Sequence, residues 1–219
     1  MIKRLLDIIM SLLLLIIFAP LMMFIALLIR VKMGEPVLFR QLRPGLKGKP
    51  FYLYKFRTMI EAVDGEVKIS DDQQRLTATG RWLRKYSLDE LPQLINVLKG
   101  ELSFVGPRPL LMAYLDRYTA EQARRHDVKP GITGWAQVNG RNALSWEDKF
   151  NLDIWYVDNQ SFSLDLKIMM MTILKVLKTE GINQDGSATM TEFMGYVDDS
   201  EGKNNAEGKY QDKNKGVSR

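Results

Sequence analysis

The sequence predicts an α+β, mainly helical fold. An N-terminal apolar membrane helix, broken near its middle, leads into a cytosolic domain with amphipathic interfacial helices and a short strand or hairpin. Three observations predict it. Ile8 to Ile29 is a run of 22 residues without a charge, interrupted only by Ser11 and Pro20. Helical spacing of apolar residues returns in several later segments, while one stretch near residue 50 alternates as a strand does. The balance of 46% apolar and 26% charged residues over 219 positions is that of a chain folding into one or two domains.

A straight helix over the apolar run would be ~33 Å long against a hydrocarbon core of ~30 Å, so the default is one transmembrane helix. Two features oppose the default. Lys3 and Arg4 precede the run and Arg30 and Lys32 follow it, whereas a crossing helix meets the positive-inside rule at one end only. Pro20 removes a helix hydrogen bond and clashes with the carbonyl four residues earlier, which favours a bend at Ala19-Pro20. A re-entrant helix and a kinked spanning helix both fit these residues. Backbone groups freed at a break need partners at membrane depth, from Ser11 or from a neighbouring amphipathic helix. A cleaved signal peptide is disfavoured by the length of the apolar core and the lack of a small-residue cleavage site. The expected organisation is a membrane helix over 1–32, a cytosolic domain over 33–197 and a disordered tail over 198–219.

Charge is unevenly placed. From Arg30 to Arg57 there are eight Lys or Arg against the single acid Glu35, whereas Asp198 to Arg219 holds five acids and five bases. A basic segment beside a membrane helix suits anionic lipid at roughly 1 kcal/mol per residue. A nucleic-acid binder has little support, because no recognition motif or aromatic-rich surface accompanies the charge. With no cysteine and one histidine, thiolate chemistry and a histidine-cluster metal site are excluded.

Along the rest of the chain, Phe51 to Thr58 alternates as a strand after the Pro44-Gly45 and Lys49-Pro50 turns, and Ile60 to Thr79 reads as a surface loop. Gly80 to Tyr86 reads as a helix, as do Leu88 to Leu98 up to a stop at Gly100 and Leu110 to Arg125. Pro130 to Arg141 holds three glycines without periodicity and reads as a loop. Ser145 to Tyr156 and Leu164 to Lys178 return to helical spacing. The latter, amphipathic and rich in Lys and Met, suits either the membrane interface or a core.

Ser87-Leu88-Asp89-Glu90 has the form of a capping box, in which Ser87 caps a helix and Glu90 reaches back to it. The other reading is chemical: Asp89 as a nucleophile that takes a phosphoryl group, with Glu90 as its metal or proton partner and Mg²⁺ relieving repulsion. Arg108, between Pro107 and Pro109, has a preset direction and a planar fork suited to phosphate. Lys55 and Arg57, two apart on a strand, share a face that could clamp a diphosphate. Each has a bland counterpart: Arg108 in a rigid turn, Lys55 and Arg57 on lipid headgroups. Asn139-Gly140-Arg141 offers backbone donors in a loop, Asp165 opens a helix as a cap, and His126 at a helix end is most simply a dipole-compensating or surface residue.

These residues carry a family resemblance. Tyr54-Lys-Phe-Arg-Thr-Met59, Ser87-Leu-Asp-Glu-Leu-Pro-Gln93, Phe104-Val-Gly-Pro-Arg-Pro109, Lys129-Pro-Gly-Ile-Thr-Gly134 and the run from Asn139-Gly-Arg141 to Asp165 resemble, in order, the bacterial sugar transferases, or monotopic phosphoglycosyl transferases. The resemblance implies a re-entrant helix broken at Ala19-Pro20, at the cytoplasmic face of the bacterial inner membrane. It implies that Asp89 attacks a UDP-sugar, UDP-N,N'-diacetylbacillosamine or another N-acetylated amino sugar, releasing UMP. Undecaprenyl phosphate then takes the sugar phosphate, in a ping-pong reaction with Mg²⁺ at Asp89 and Glu90. It further implies that Lys55, Arg108 and Arg141 contact phosphates and that Asp165 helps shape the site. Relatives often carry serine before the proline where this chain has Ala19. Against this stands a membrane-anchored basic scaffold in which the acidic pair only caps a helix. Oligomeric state is left open.

Overall fold

The computed structural model describes residues 2–60, 75–140, 144–178 and 192–195. The expected tail and most of the expected loop after Ile60 lie outside them. Helix α1 (Ile2–Met33) contains Pro20, and its helical assignment passes through that residue without interruption. Among the described residues it is the one helix long and apolar enough to cross a membrane.

Burial along α1 is confined to its two ends. Asp7 and Ser11 are buried near the start and Ile25 and Ile29 near the finish, while Leu12, Leu13, Ile16, Ile17, Met23 and Phe24 are exposed. An apolar surface left bare in mid-helix seeks lipid. At the start, Lys3 Nζ donates to Asp165 Oδ2 at 2.5 Å, to the Tyr156 hydroxyl at 3.0 Å and to the Val105 carbonyl at 3.0 Å. Arg4 donates to the carbonyls of Val97 and Leu98, and the Ser103 hydroxyl and Phe104 N–H donate to Asp7. At the finish, Ile25 and Ile29 form a core cluster with Phe56 and Leu83, against which Leu88 and Leu91 pack. The charges flanking the apolar run are thus partly internal: Lys3 and Arg4 hold the helix to the domain.

Strands β1 (Leu38–Pro44) and β2 (Pro50–Phe56) form the expected hairpin, antiparallel from Leu38 opposite Phe56 to Pro44 opposite Pro50. Phe51 and Leu53 turn inward onto Val97 and Leu102. Helix α2 (Ala78–Lys85) starts at Thr77, whose side chain accepts from Gly80 N–H. It lies so close to the end of the hairpin that a Cβ on Gly80 would stand 2.0 Å from the Thr58 carbonyl oxygen. Helix α3 (Gln93–Lys99) stops at Gly100, as expected, because φ of +87° is a left-handed conformation that other residues rarely adopt.

Two expectations are corrected. Leu110 to Arg125 is not one helix but a 3-10 run over Met112–Arg117, a short helix α4 (Ala120–Ala123) and a 3-10 turn over Arg124–His126. Thr119 starts α4 afresh with a true capping box to Gln122, and an apolar period alone does not show such an interruption. Pro130 to Arg141 is not wholly loop. Gly131–Thr133 is strand β4, parallel to β3 (Ser103–Val105), and Trp135–Asn139 is helix α5. A three-residue buried strand is too short to show alternation.

Helices α6 (Trp146–Asn159) and α7 (Phe162–Lys178) match the periodic segments. Their inner faces bring Tyr156 and Ile168 against Val105 and Val138, while Phe162, Leu166, Met170, Ile173 and Leu174 leave an exposed apolar stripe along α7. Glu192 to Gly195 returns to the domain, where Phe193 is buried among Tyr114, Tyr118, Trp146 and Phe150.

The contact of α2 with Thr58 is testable. Gly80→Ala should lower stability by about 2–3 kcal/mol in urea unfolding, since backbone rather than a flexible side chain blocks the added methyl. An unchanged midpoint would mean that α2 is not seated on Thr58.

Candidate active site

The site is set by a backbone turn that breaks the expected cap. Ser87 has φ of +55°, in the left-handed region, and its side chain makes no capping hydrogen bond. The capping-box reading of Ser87 to Glu90 is therefore corrected. A 3-10 turn over Leu88–Glu90 directs both acids toward the hairpin and the Pro107-Arg108-Pro109 segment.

There the two carboxylates meet different surroundings. Lys55 Nζ lies 2.6 Å from Glu90 Oε1, and the Arg108 guanidinium lies 2.8 Å from the same oxygen. Lys55 is 4.0 Å from Asp89 Oδ2, and Asp89, 7% exposed, accepts no hydrogen bond among the described residues. Burial alone would raise the proton affinity of Glu90, but Arg108 and Lys55 outweigh it and hold the carboxyl far below the usual range. Asp89 is pushed up, first by burial and then by the Glu90 charge, against the opposing pull of Lys55, Arg84 and Arg108. Two neighbouring acids are thereby separated into a permanently charged one and a more basic one, the division acid–base and nucleophilic sites use.

Arg108 is held from behind. Arg125 donates to its carbonyl at 2.8 Å and forms a buried pair with Asp153 at 2.6 Å. With a proline on each side, its backbone is fixed and its guanidinium is aimed at Glu90. The acids open into a cleft of about 1640 Å³, also lined by Lys55, Arg108, Arg43 and Lys149. Burial lowers the Lys149 pKa to about 8.

The other expected site residues are placed differently. Arg57 lies just past β2 and lines the same cleft as Lys55, while its guanidinium donates to the carbonyls of Met33, Gly34 and Glu35 at the C-terminal end of α1. Asp165 binds Lys3 and Tyr156, beside the start of α1 and away from Asp89. Arg141 lies outside the described residues. His126 is buried, not on the surface, and burial with the neighbouring Arg125 charge lowers its pKa to about 4. Arg43, Arg84 and Lys149 were not singled out by motif. Arg43 was visible only as one charge in the basic segment, and nothing local distinguishes it from the exposed ones.

The residues present fit a magnesium ion. No cluster of three or more metal-ligating side chains occurs among the described residues. Mg²⁺, however, commonly uses one or two carboxylates and completes its shell with water and substrate phosphates. Both cations bind Oε1 of Glu90, which leaves its Oε2 without a hydrogen bond among the described residues, and Asp89 likewise accepts none, so both carboxylates could serve that purpose.

Residues 1–179 match the family described as bacterial sugar transferase. The chain is 59% identical over 196 residues to an uncharacterized sugar transferase, EpsL, of Bacillus subtilis, covering 90% of this chain and 97% of that protein. It is 43% identical over 190 residues to a UDP-glucose:undecaprenyl-phosphate glucose-1-phosphate transferase of Caulobacter vibrioides, covering 81% and 70% respectively. It is 39% identical over 184 residues to a UDP-N-acetylgalactosamine-undecaprenyl-phosphate N-acetylgalactosaminephosphotransferase of Aeromonas hydrophila, of which it covers only 44%.

The separation of the acids has a thermodynamic signature. Because the Asp89 pKa is raised on folding, the folded protein binds the extra proton, and stability falls as pH rises through the interval between the two values. Asp89→Asn should therefore raise stability by about 1–2 kcal/mol at neutral pH, a gain that fades on acidification as Asp89 takes up its proton. Thermal melts across pH check this; an asparagine variant less stable than wild type at neutral pH contradicts it.

Proposed function

Since the chain belongs to the bacterial sugar transferase family, we propose that it transfers a sugar 1-phosphate from a UDP-sugar to undecaprenyl phosphate through an ester on Asp89. The observation that carries this is the buried Asp89, 4.0 Å from Lys55 and without a hydrogen bond among the described residues, beside a Glu90 whose Oε1 is held by both Lys55 and Arg108. In the first half-reaction an Asp89 carboxylate oxygen attacks the β-phosphorus. The bond from that phosphorus to the bridging oxygen breaks, and UMP leaves with the oxygen and its electron pair. In the second, a phosphate oxygen of undecaprenyl phosphate attacks the same phosphorus, and the bond to Asp89 breaks to restore the carboxylate.

Lys55 and Arg108 hold their cationic ends where the β-phosphate oxygens must lie, and fixed cations stabilise charge that develops in transfer without reorganising at that moment. Glu90 holds those cations in place. Mg²⁺ bound by Asp89, Glu90 and the diphosphate would neutralise charge on the donor. Arg141 is assigned to phosphate contact by resemblance alone. The sugar, an N-acetylated amino sugar or a hexose, is for a substrate panel to decide.

The same reading extends to the membrane. Arg4 is bound at the last turn of α3, while the cluster holding Ile25 and Ile29 packs on Leu88 and Leu91 just before α3, a helix of seven residues and ~10 Å. A straight α1 would set Arg4 and Ile25 ~32 Å apart. Anchors this close favour a bend, and Pro20 is the residue suited to it. Both ends then lie on one face of the membrane, the cytoplasmic one, with α1 re-entrant. The stripe on α7 would rest in the interface and set Asp89 near the depth of the acceptor phosphate.

Two outcomes test this. Incubated with a panel of UDP-sugars and Mg²⁺ but no lipid, wild type should release about one UMP per enzyme, and Asp89→Asn should be slower by at least about a thousandfold; equal rates contradict the covalent route. Ile2→Cys and Glu35→Cys, introduced singly into the cysteine-free chain, should react with an impermeant maleimide from the same side of the membrane. Labelling from opposite sides means a spanning helix.

A further inference from the structure

Arg43 stands at the opposite end of the hairpin from Lys55. Arg43 faces Phe51 across the ladder and Phe39 faces Lys55, and directly opposed residues share a face. Since Phe51, Leu53 and Lys55 alternate onto one face, Arg43 and Lys55 project from the same side of the hairpin, four residues or ~13 Å apart. Both line the cleft that holds Asp89, and Arg108 is their common neighbour.

Arg43 lacks what a structural arginine usually has. It donates to the Gln41 amide oxygen at 2.5 Å, its Nε is buried without a hydrogen-bond partner, and no carboxylate pairs with it among the described residues. Other acids of the cleft are committed: Glu90 to Lys55 and Arg108, Asp153 to Arg125, Glu192 to Arg117. Burial and the Arg108 charge lower the Arg43 pKa to about 10. A guanidinium held beside another cation without an acid destabilises the free protein, and an anion entering the cleft relieves it.

We propose that Arg43 binds the phosphate adjoining the nucleoside of the donor, the one that leaves in UMP. The proposal rests on the reading of the cleft as a UDP-sugar site and adds where the departing half of the diphosphate lies. The reacting phosphate must touch Asp89, beside Lys55. The acceptor phosphate must later take that same position. The place past Arg108, toward Arg43, belongs to the donor's other phosphate, where charge accumulates on the leaving oxygen as the bond breaks.

Binding of UMP and of uridine to the full chain in detergent micelles, measured by calorimetry for wild type, Arg43→Gln and Arg43→Lys, tests it. Arg43→Gln should weaken UMP by at least about tenfold and leave uridine unchanged, with lysine intermediate, because a charged hydrogen bond is lost and no packing is. The ligand-free melting temperature of Arg43→Gln should equal or exceed that of wild type. Equal UMP affinity overturns the proposal, as does a parallel loss for UMP and uridine with a lower melting temperature, which is a structural role. Normal UMP binding with slowed transfer from labelled enzyme to undecaprenyl phosphate assigns Arg43 to the acceptor and also overturns it. Wild-type protein that binds no UMP removes the UDP-sugar reading itself, and this proposal with it.

Discussion

The site depends on two cations sharing one carboxylate oxygen. Lys55 and Arg108 both bind Glu90 Oε1, and that choice leaves Asp89 buried and, among the described residues, without a hydrogen-bond donor. Had either cation turned to Asp89, the carboxylate would be stabilised and a poorer nucleophile. The arrangement requires Arg108 to be immobile, which its flanking prolines and the buried Arg125–Asp153 pair ensure, and it requires Ser87 to adopt a left-handed conformation so that no cap forms. A stabilising motif is forgone for the placement of one acid, the pattern expected where local consistency yields to chemistry.

Helix α1 is a part of the same construction. Lys3 inserts among Asp165, Tyr156 and the Val105 carbonyl at one end, and Arg57 gathers three carbonyls at the other. Arg57 stands two residues past Lys55, and Val105 three before Arg108. The segments that present the cleft cations therefore also grip the apolar helix, so the position of α1 and that of Asp89 are mechanically linked.

Legibility in the sequence followed the range of each interaction. The apolar run, the hairpin strand, α2, α6 and α7 were readable because local periodicity or turn chemistry determines them. The short elements β4, α4 and α5 were not, since they exist by pairing with β3 or by a cap hidden within a longer apolar pattern. Asp89, Glu90, Lys55 and Arg108 were named from motif and lie together. Arg57 and Asp165 were named for substrate, and their hydrogen bonds pin the two ends of α1, a role the sequence did not show because spacing cannot say which oxygen a charge will find. Arg43 was one among eight basic residues, and only the register of the hairpin and the company of Arg108 set it apart.

The central claim is that phosphorus becomes bonded to one oxygen of Asp89. Wild-type enzyme quenched after reaction with an accepted UDP-sugar and digested can be read by mass spectrometry, residue by residue. The account predicts a single sugar-phosphate adduct on Asp89 that vanishes when undecaprenyl phosphate is added before the quench. An adduct on Glu90, or an unmodified enzyme that nonetheless turns over when both substrates are present together, would contradict it.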